Sequence, residues 1–144
     1  MSELGLGLQS DKTPEEYVAL ARRAEAAGFE VISVFHDLFF QPAIYPLLLI
    51  ARETERVRLG PAALNASTLH PVELAGQATA LDLASNGRAY LGIAVGAWLD
   101  KLELDPERPL ARMRVECGTP QGLTSAEGVA LLCHRELPLL RPPA

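Results

Sequence analysis

The sequence predicts an α/β fold with a parallel sheet, and three features of its pattern carry that prediction. Short apolar, β-rich runs begin at residues 4, 31, 57 and 88, 26 to 31 residues apart. Consecutive parallel strands need crossovers of about this length. The stretches between the runs carry apolar residues at helical spacing behind clear start signals. The run Val31-Ile-Ser-Val-Phe35 is nearly continuous in apolarity, as in a strand buried on both faces.

Each element has its own local reason. Leu4-Gly-Leu-Gly-Leu8 is a first strand that stops at Gln9-Ser10-Asp11. Thr13 then caps a helix, Pro14 suits its first position, and Glu16 closes a capping box. Tyr17, Leu20, Ala21, Ala24 and Ala27 fall on one face of that helix, with Arg22, Arg23 and Glu25 outside, and Gly28 reads as its C-cap. After the second strand, His36-Asp37 stands at the carboxyl end, and a loop with Phe39, Phe40 and Pro42 leads to a helix from Tyr45 to Arg56. Val57 to Leu59 is the third strand, ending near Gly60-Pro61, and Ala62 to Thr68 reads as a loop. Pro71 opens a third helix through Leu74, Ala75, Ala78 and Leu81, which Ser85-Asn86-Gly87 stops. Arg88 to Val95 is the fourth strand, ending at Gly96. Asp105-Pro106 and Pro109 are start signals for a fourth helix through Leu110 and Met113. From Val115 to Ala144 no period is sustained, and prolines, glycines and both cysteines accumulate. This pattern alone leaves open whether the sheet is doubly wound or a segment of a closed barrel.

Composition narrows the function classes. The chain has 144 residues and a net charge of −5, so no basic field exists to attract nucleic acid or an acidic membrane. The apolar run from Ala43 to Ala51 is far shorter than the ~20 residues of a membrane span. The first residues have neither a basic n-region nor a separate apolar h-region, so no signal peptide and a cytoplasmic address are expected. Two cysteines cannot build a disulfide framework, and Cys117, Cys133 and His134 lack metal-ligand spacing, so no metal is expected. The run Leu91-Gly-Ile-Ala-Val-Gly96 lacks the spacing of a phosphate loop; its glycines suit close backbone approach at a sheet mouth.

Parallel α/β folds carry their binding groups at the carboxyl ends of strands. Gln9, His36, Asp37, Asn65 and Trp98 all fall near such ends. A neutral imidazole donates or accepts a hydrogen bond near a reacting centre and titrates near neutrality, which singles out His36 beside Asp37. Neighbours on a strand point to opposite faces, so one of the pair faces inward. The plain structural alternative is a loop-edge histidine and a solvated turn aspartate. Asn65 is likewise explained by a turn, and His70 by a cap next to Pro71.

Four segments at consistent spacing carry a resemblance. They are Gly5-Leu-Gly-Leu-Gln9 with Thr13-Pro-Glu-Glu-Tyr17; Ala24-Glu-Ala-Ala-Gly-Phe29 with Ser33-Val-Phe-His-Asp37; Thr54-Glu-Arg-Val-Arg-Leu-Gly60 with Asn65 and His70-Pro71; and Leu83-Ala-Ser-Asn-Gly-Arg88 with Leu91 to Gly96. Together they resemble the luciferase-like monooxygenase superfamily, most closely its coenzyme F-420-dependent branch, which includes the methylenetetrahydromethanopterin reductases. The resemblance implies a TIM barrel of which residues 1–114 are the first half, about four of eight βα units. Residues 115–144 resemble nothing in the family and are expected to be an irregular tail, either a native extension or the product of a frameshift or a truncated gene.

The resemblance implies coenzyme F-420 or FMN as cofactor, and hydride transfer or monooxygenation on a small substrate. His36 and Asp37 match the catalytic position, although the family order there is acid then histidine. Ala62, Ala63 and Asn65 match the ring-binding segment, with Ala62-Ala63 at a non-prolyl cis peptide that backs the ring; Gln9 and Trp98 join them as cofactor-binding candidates by their place at strand ends, Trp98 either covering a ring or filling a core edge. Much of the phosphate-binding part of the family's site lies beyond the fourth strand. The alternative function is a non-catalytic half-barrel, a remnant or an assembly subunit. Open sheet edges and an inner face expected to be rich in Leu, Val and Ile predict self-association or a complementing half-barrel as partner. Removal of residues 115–144 is expected to leave the thermal midpoint of residues 1–114 nearly unchanged. A calorimetric scan showing loss of the cooperative transition would contradict this.

Overall fold

A computed structural model of the chain describes residues 3–96 and 98–104, with the backbone of 130–132. In chain order the elements are β1 (Gly5–Leu8), α1 (Pro14–Ala26), β2 (Val31–Val34), α2 (Ile44–Glu53), β3 (Arg58–Pro61), β4 (Leu64–Asn65), α3 (Pro71–Ala84), β5 (Leu91–Ala94), a 3-10 turn (Leu99–Leu102) and β6 (Ala130–Leu132). β1, β2 and β3 lie side by side, parallel and in sequential order. β4 pairs parallel with β5, and a bridge between Leu59 and Ala89 joins β3 to the segment that enters β5.

The helices start and stop where local chemistry directs. Thr13 Oγ1 accepts the Glu16 N–H while the Glu16 carboxylate accepts the Thr13 N–H, the capping box read from the sequence. α1 ends with Gly28 at φ +88°, the Phe29 N–H donating to the Ala24 carbonyl and the Gly28 N–H to the Glu25 carbonyl. α3 starts on His70, whose Nδ1 accepts the Val72 N–H at 3.2 Å. It ends through Asn86 and Gly87, both at positive φ, with the Gly87 N–H donating to the Asp82 carbonyl.

Strand register separates two faces. Leu6, Ile32 and Leu59 form one row, and Leu8, Val34 and Pro61 another. Leu8, Ile32, Val34 and Leu59 are buried in one cluster with Tyr17, Ala21 and Ala24 of α1, Leu47, Ile50 and Ala51 of α2, and Leu81 of α3. At roughly 1.5–3 kcal/mol for each large side chain taken from water, this helix-covered face holds the fold together. The opposite face carries the rows Gly5–Val31–Arg58 and Gly7–Ser33–Gly60. The Tyr90 ring packs over Gly60, where a Cβ would collide with both ring and backbone, and Tyr90 Oη shares a 2.5 Å hydrogen bond with Ser33 Oγ. The Phe35 ring lies against Gly7, 2.9 Å from where a Cβ would stand.

Several expectations are corrected here. The inner face was expected to be rich in Leu, Val and Ile; in the three paired strands it is instead mostly small or polar, with two aromatic rings leaning over glycines. The second helix stops at Glu53 and not at Arg56, because Thr54 turns extended and its Oγ1 donates back to the Ile50 carbonyl at 2.7 Å. The third strand lies at Arg58–Pro61, shifted from 57–59 by the register it keeps with Val31 to Val34. The stretch 62–68, expected as a loop, contains β4, because Leu64 and Asn65 pair with Ile93 and Ala94. The fourth strand is shorter than 88–95, since Arg88 serves a different purpose. Three residues of the segment expected to lack regular structure form β6, antiparallel to β5. The fourth helix predicted at 105–113 and the rest of that segment lie outside the described residues.

The amino ends of the strands are tied by two charged side chains. The Arg88 guanidinium donates to the carbonyls of Ser85, Val57, Ala51 and Thr54 at 2.7 to 2.8 Å and to Thr54 Oγ1 at 3.1 Å. It thereby joins the carboxyl ends of α2 and α3 to the residue that precedes β3. The Glu25 carboxylate accepts the N–H groups of Glu55, Arg56 and Val57. Burial works to raise its pKa, but these donors and the Arg56 charge hold it below the usual carboxylate range. Arg88→Ala is expected to destabilise by ~3–5 kcal/mol, because it leaves several half-buried carbonyls without donors. Chemical denaturation checks this, with Arg88→Lys, which keeps the charge but not the fork, expected in between.

Candidate functional site

The carboxyl ends of the parallel strands open into four loops. The β1–α1 loop begins with Gln9, the β2–α2 loop contains His36 and Asp37, the turn after β3 contains Ala62 and Ala63, and the segment after β5 contains Trp98. The first two loops are latched to each other. The Gln41 N–H donates to the Ser10 carbonyl at 3.1 Å, and Gln41 Nε2 to the Lys12 carbonyl at 3.1 Å. Tyr17, fully buried on α1, donates its hydroxyl to the Gln9 carbonyl at 3.0 Å and accepts the Lys12 N–H at 3.2 Å. Lys12 Nζ donates to the Gln9 carbonyl and to Asp11.

Gln9 and Asp37, 28 residues apart, meet in this frame: Gln9 Nε2 donates to Asp37 Oδ2 at 2.6 Å. His36 turns elsewhere, and its Nδ1 accepts the Ala43 N–H at 3.2 Å. An Nδ1 that accepts carries no proton, so the neutral ring has its proton on Nε2. Burial lowers the His36 pKa, partly countered by the Asp37 charge. A folded value below the unfolded one stabilises the fold above the ordinary imidazole range; that contribution fades as pH falls toward the folded value.

Asn65, the last residue of β4, is buried, 3% exposed. Its Oδ1 accepts the Ser67 N–H at 2.8 Å, and its carbonyl accepts the Thr68 and Leu69 N–H groups. Ser67 Oγ in turn donates to the Val95 carbonyl at 2.7 Å, which fastens this turn to the end of β5. Gly96, at φ +108°, leaves no room for a Cβ against the Asn65 amide. The Ala62-Ala63 peptide is cis and sits between β3 and β4, at the position matched from the sequence. Ala62 is exposed and Ala63 half-buried. Trp98 is 57% exposed, with a left-handed backbone, at the start of the 3-10 turn. The structure thus joins Gln9 to Asp37 and Asn65 to the end of β5. It records no hydrogen bond from Trp98 to these groups. Among the described residues, no group of three or more His, Cys, Asp or Glu is placed to hold a metal. No helix among them is long and apolar enough to cross a membrane.

The family model for luciferase-like monooxygenases matches residues 1–115, most of the chain. The chain belongs to the luciferase-like monooxygenase family. The flavin-dependent trigonelline monooxygenase oxygenase component of Acinetobacter baylyi is 38% identical over 89 residues, covering 58% of this chain and 25% of that protein. The 5,10-methylenetetrahydromethanopterin reductase of Methanopyrus kandleri is 32% identical over 108 residues, covering 72% of this chain and 31% of that protein. The solved structure of the coenzyme F420-dependent tetrahydromethanopterin reductase from the same organism superposes with a TM-score of 0.73 at 29% identity, over 80% of this chain and 38% of that one. This luciferase-like chain therefore spans about a quarter to a third of the length of these curated relatives.

Sequence reasoning found Gln9, His36, Asp37 and Asn65 at strand ends but missed Gln41, Lys12 and the Tyr17 hydroxyl. Tyr17 had the one available signal: a tyrosine on the buried face of a helix needs a partner for its hydroxyl. Gly96→Ala is expected to cost ~2 kcal/mol or more through the positive φ and the collision with Asn65. The amide exchange of Ser67 and Ala66, followed by NMR, should rise with it, while exchange in α1 stays unchanged.

Proposed function

We propose that this chain supplies the first four βα units of a luciferase-like TIM barrel and the ring-facing part of its cofactor site. The activity is oxidoreductase chemistry, hydride transfer or monooxygenation of a small substrate, with coenzyme F-420 or FMN. The observation that carries the reading is the rim at the strand ends, where a neutral His36 with its proton on Nε2 and an Asp37 carboxylate held by Gln9 stand side by side. Family membership and the relatives named above support the cofactor class.

The residues present fit a flat ring edged with carbonyl and N–H groups. His36 Nε2 donates, Asp37 accepts, the Ala62-Ala63 peptide lies between the two sheet segments, and Asn65 anchors the turn that follows it. The fit is poorer for an anionic tail: of the basic side chains on these loops, Lys12 is held by Asp11 and the Gln9 carbonyl, and Lys101 stands on the exposed 3-10 turn. A bound deazaflavin or flavin supplies the redox chemistry. The protein's own groups bind and orient the ring, and the loop latched at Gln41 and Ala43 shields one side from water.

Each charge-assisted hydrogen bond that the tail lacks costs ~1.5–3 kcal/mol, so two absent ones weaken binding by at least about a hundredfold. Titration with oxidised and reduced F-420 and with FMN, followed by cofactor fluorescence and run beside a sizing column, tests the reading. Weak binding that His36→Ala, Asp37→Ala and Asn65→Ala each reduce further is expected. Binding untouched by all three places the ligand elsewhere. No binding at millimolar concentration by chains that self-associate favours the second reading, a non-catalytic assembly subunit.

A further inference from the structure

Two polar side chains at the rim face a choice of partner. Asp37 directly follows His36, and its charge is felt by the imidazole. A carboxylate beside a histidine commonly turns toward it and stabilises the protonated ring. Here it does not. Asp37 Oδ2 takes a 2.6 Å hydrogen bond from Gln9 Nε2, and His36 Nδ1 takes the Ala43 N–H.

Gln9 is itself fixed from behind. Its carbonyl accepts from the Tyr17 hydroxyl at 3.0 Å and from Lys12 Nζ at 3.3 Å. Tyr17 has no exposure and sits in the core cluster, so this hydroxyl cannot drift. A chain of contacts therefore runs from the α1 core through Gln9 to Asp37.

We propose that Gln9 is a positioning residue: anchored by the Tyr17 hydroxyl, its side-chain amide draws the Asp37 carboxylate away from His36, so that His36 presents an Nε2–H donor and Asp37 a separate acceptor to the strand ends. This division rests on the reading above that the rim receives a ring. A paired His36 and Asp37 would present one zwitterionic unit, with the Ala43 N–H left without its acceptor. Separated, they present a donor and an acceptor to two different ligand groups.

Of the titratable and charged groups on the elements around His36, which on α1 include Glu15, Glu16, Arg22, Arg23 and Glu25 and on α2 Tyr45, Arg52 and Glu53, Asp37 is the one whose charge reaches the imidazole. The β1–α1 loop carries Asp11, which is paired with Lys12, and α1 contributes the Tyr17 phenol. The β2–α2 loop carries Asp37, the first turn of α2 has no acidic residue, and His70 caps its own helix. Asp37 is therefore the group able to shift His36 when the amide of Gln9 is removed.

The test uses the full chain without cofactor, so its outcome is separate from the outcome of the cofactor titration. Imidazole titration is followed by NMR in the wild type, Gln9→Leu, Tyr17→Phe, Asp37→Asn and the double variant Gln9→Leu/Asp37→Asn, with folding checked by amide spectra. The wild type should show His36 as the Nε2–H tautomer, titrating below the ordinary imidazole value. In Gln9→Leu the midpoint should rise by ~0.5–1 unit as Asp37 turns to the ring. Tyr17→Phe, which removes only the hydroxyl, should give a smaller rise. The double variant should show no rise, because the amide at position 37 carries no charge. An unchanged midpoint in folded Gln9→Leu overturns the proposal, as does a rise that persists in the double variant. If Gln9→Leu does not fold, Asp37→Asn alone decides: a fall of under about half a unit agrees with a carboxylate held away from His36, and a fall of a unit or more shows that the pair was already joined.

Discussion

The Arg88 guanidinium is the point on which three elements close. Every one of its N–H groups is directed at the chain ends of α2, β3 and α3. Helices end in carbonyls without partners, and those of α2 would otherwise face a half-buried corner. A planar fork with five donors satisfies several of them at once, which a lysine cannot do. The geometry also sets lengths: α2 stops where its last carbonyls meet this fork, and β3 starts where the Val57 carbonyl does. Glu25 does the opposite work from α1, gathering three N–H groups of the same connection. One cation takes the carbonyls and one anion takes the amides. Both sit at the amino ends of the strands, where conserving the fold, and not chemistry, is the task of a parallel α/β protein.

Among the described residues, helices cover one face of the sheet β1–β3. The buried apolar residues of β1, β2 and β3 cluster with the helices. On the other face, large residues of the second and fourth βα units, Phe35 and Tyr90, lean over glycines of the first and third, Gly7 and Gly60. Alternate strands supplying large side chains is how parallel barrels fill their interiors. The Ser33–Tyr90 hydrogen bond fixes one of these rings, and the same burial that makes the bond useful pushes the Tyr90 phenol up, against the opposing effects of Ser33 and Arg58.

At the other end of the strands, precision comes from loops that bind one another. Gln41 links the β2–α2 loop to the backbone of the β1–α1 loop, and Ala43 holds His36. Phe39 and Phe40, 71% and 50% exposed, stand at the tip of the loop so pinned. Asn65 and Ser67 perform the same service for the turn after β4. Gln9, His36 and Asp37 stand on irregular chain, but each is held by a hydrogen bond: the Gln9 carbonyl by Tyr17, His36 by Ala43 and Asp37 by Gln9.

The sequence by itself determined what depends on neighbours along the chain. The Thr13 capping box, the Gly28 and Asn86-Gly87 stops, the His70 cap and the alternation of strands with helices all rest on contacts within a few residues, and spacing reveals those. The placement of Gln9, His36, Asp37 and Asn65 at strand ends followed from the same alternation, and the family followed from four motifs in order. What the tertiary structure decided is whatever joins distant residues. Val57 to Leu59 reads as a strand in any register, but only pairing with Val31 to Val34 moves it to Arg58–Pro61. Leu64 and Asn65 look like a loop until β5 arrives beside them. Arg88 reads as the first residue of a strand, and Glu25 as a solvated helix face; each is a clamp because the chain returns to it some 30 residues away. His36 and Asp37 are adjacent in sequence yet serve separate partners, since hydrogen bonds from Ala43 and Gln9 act in three dimensions on groups that the one-dimensional text places side by side.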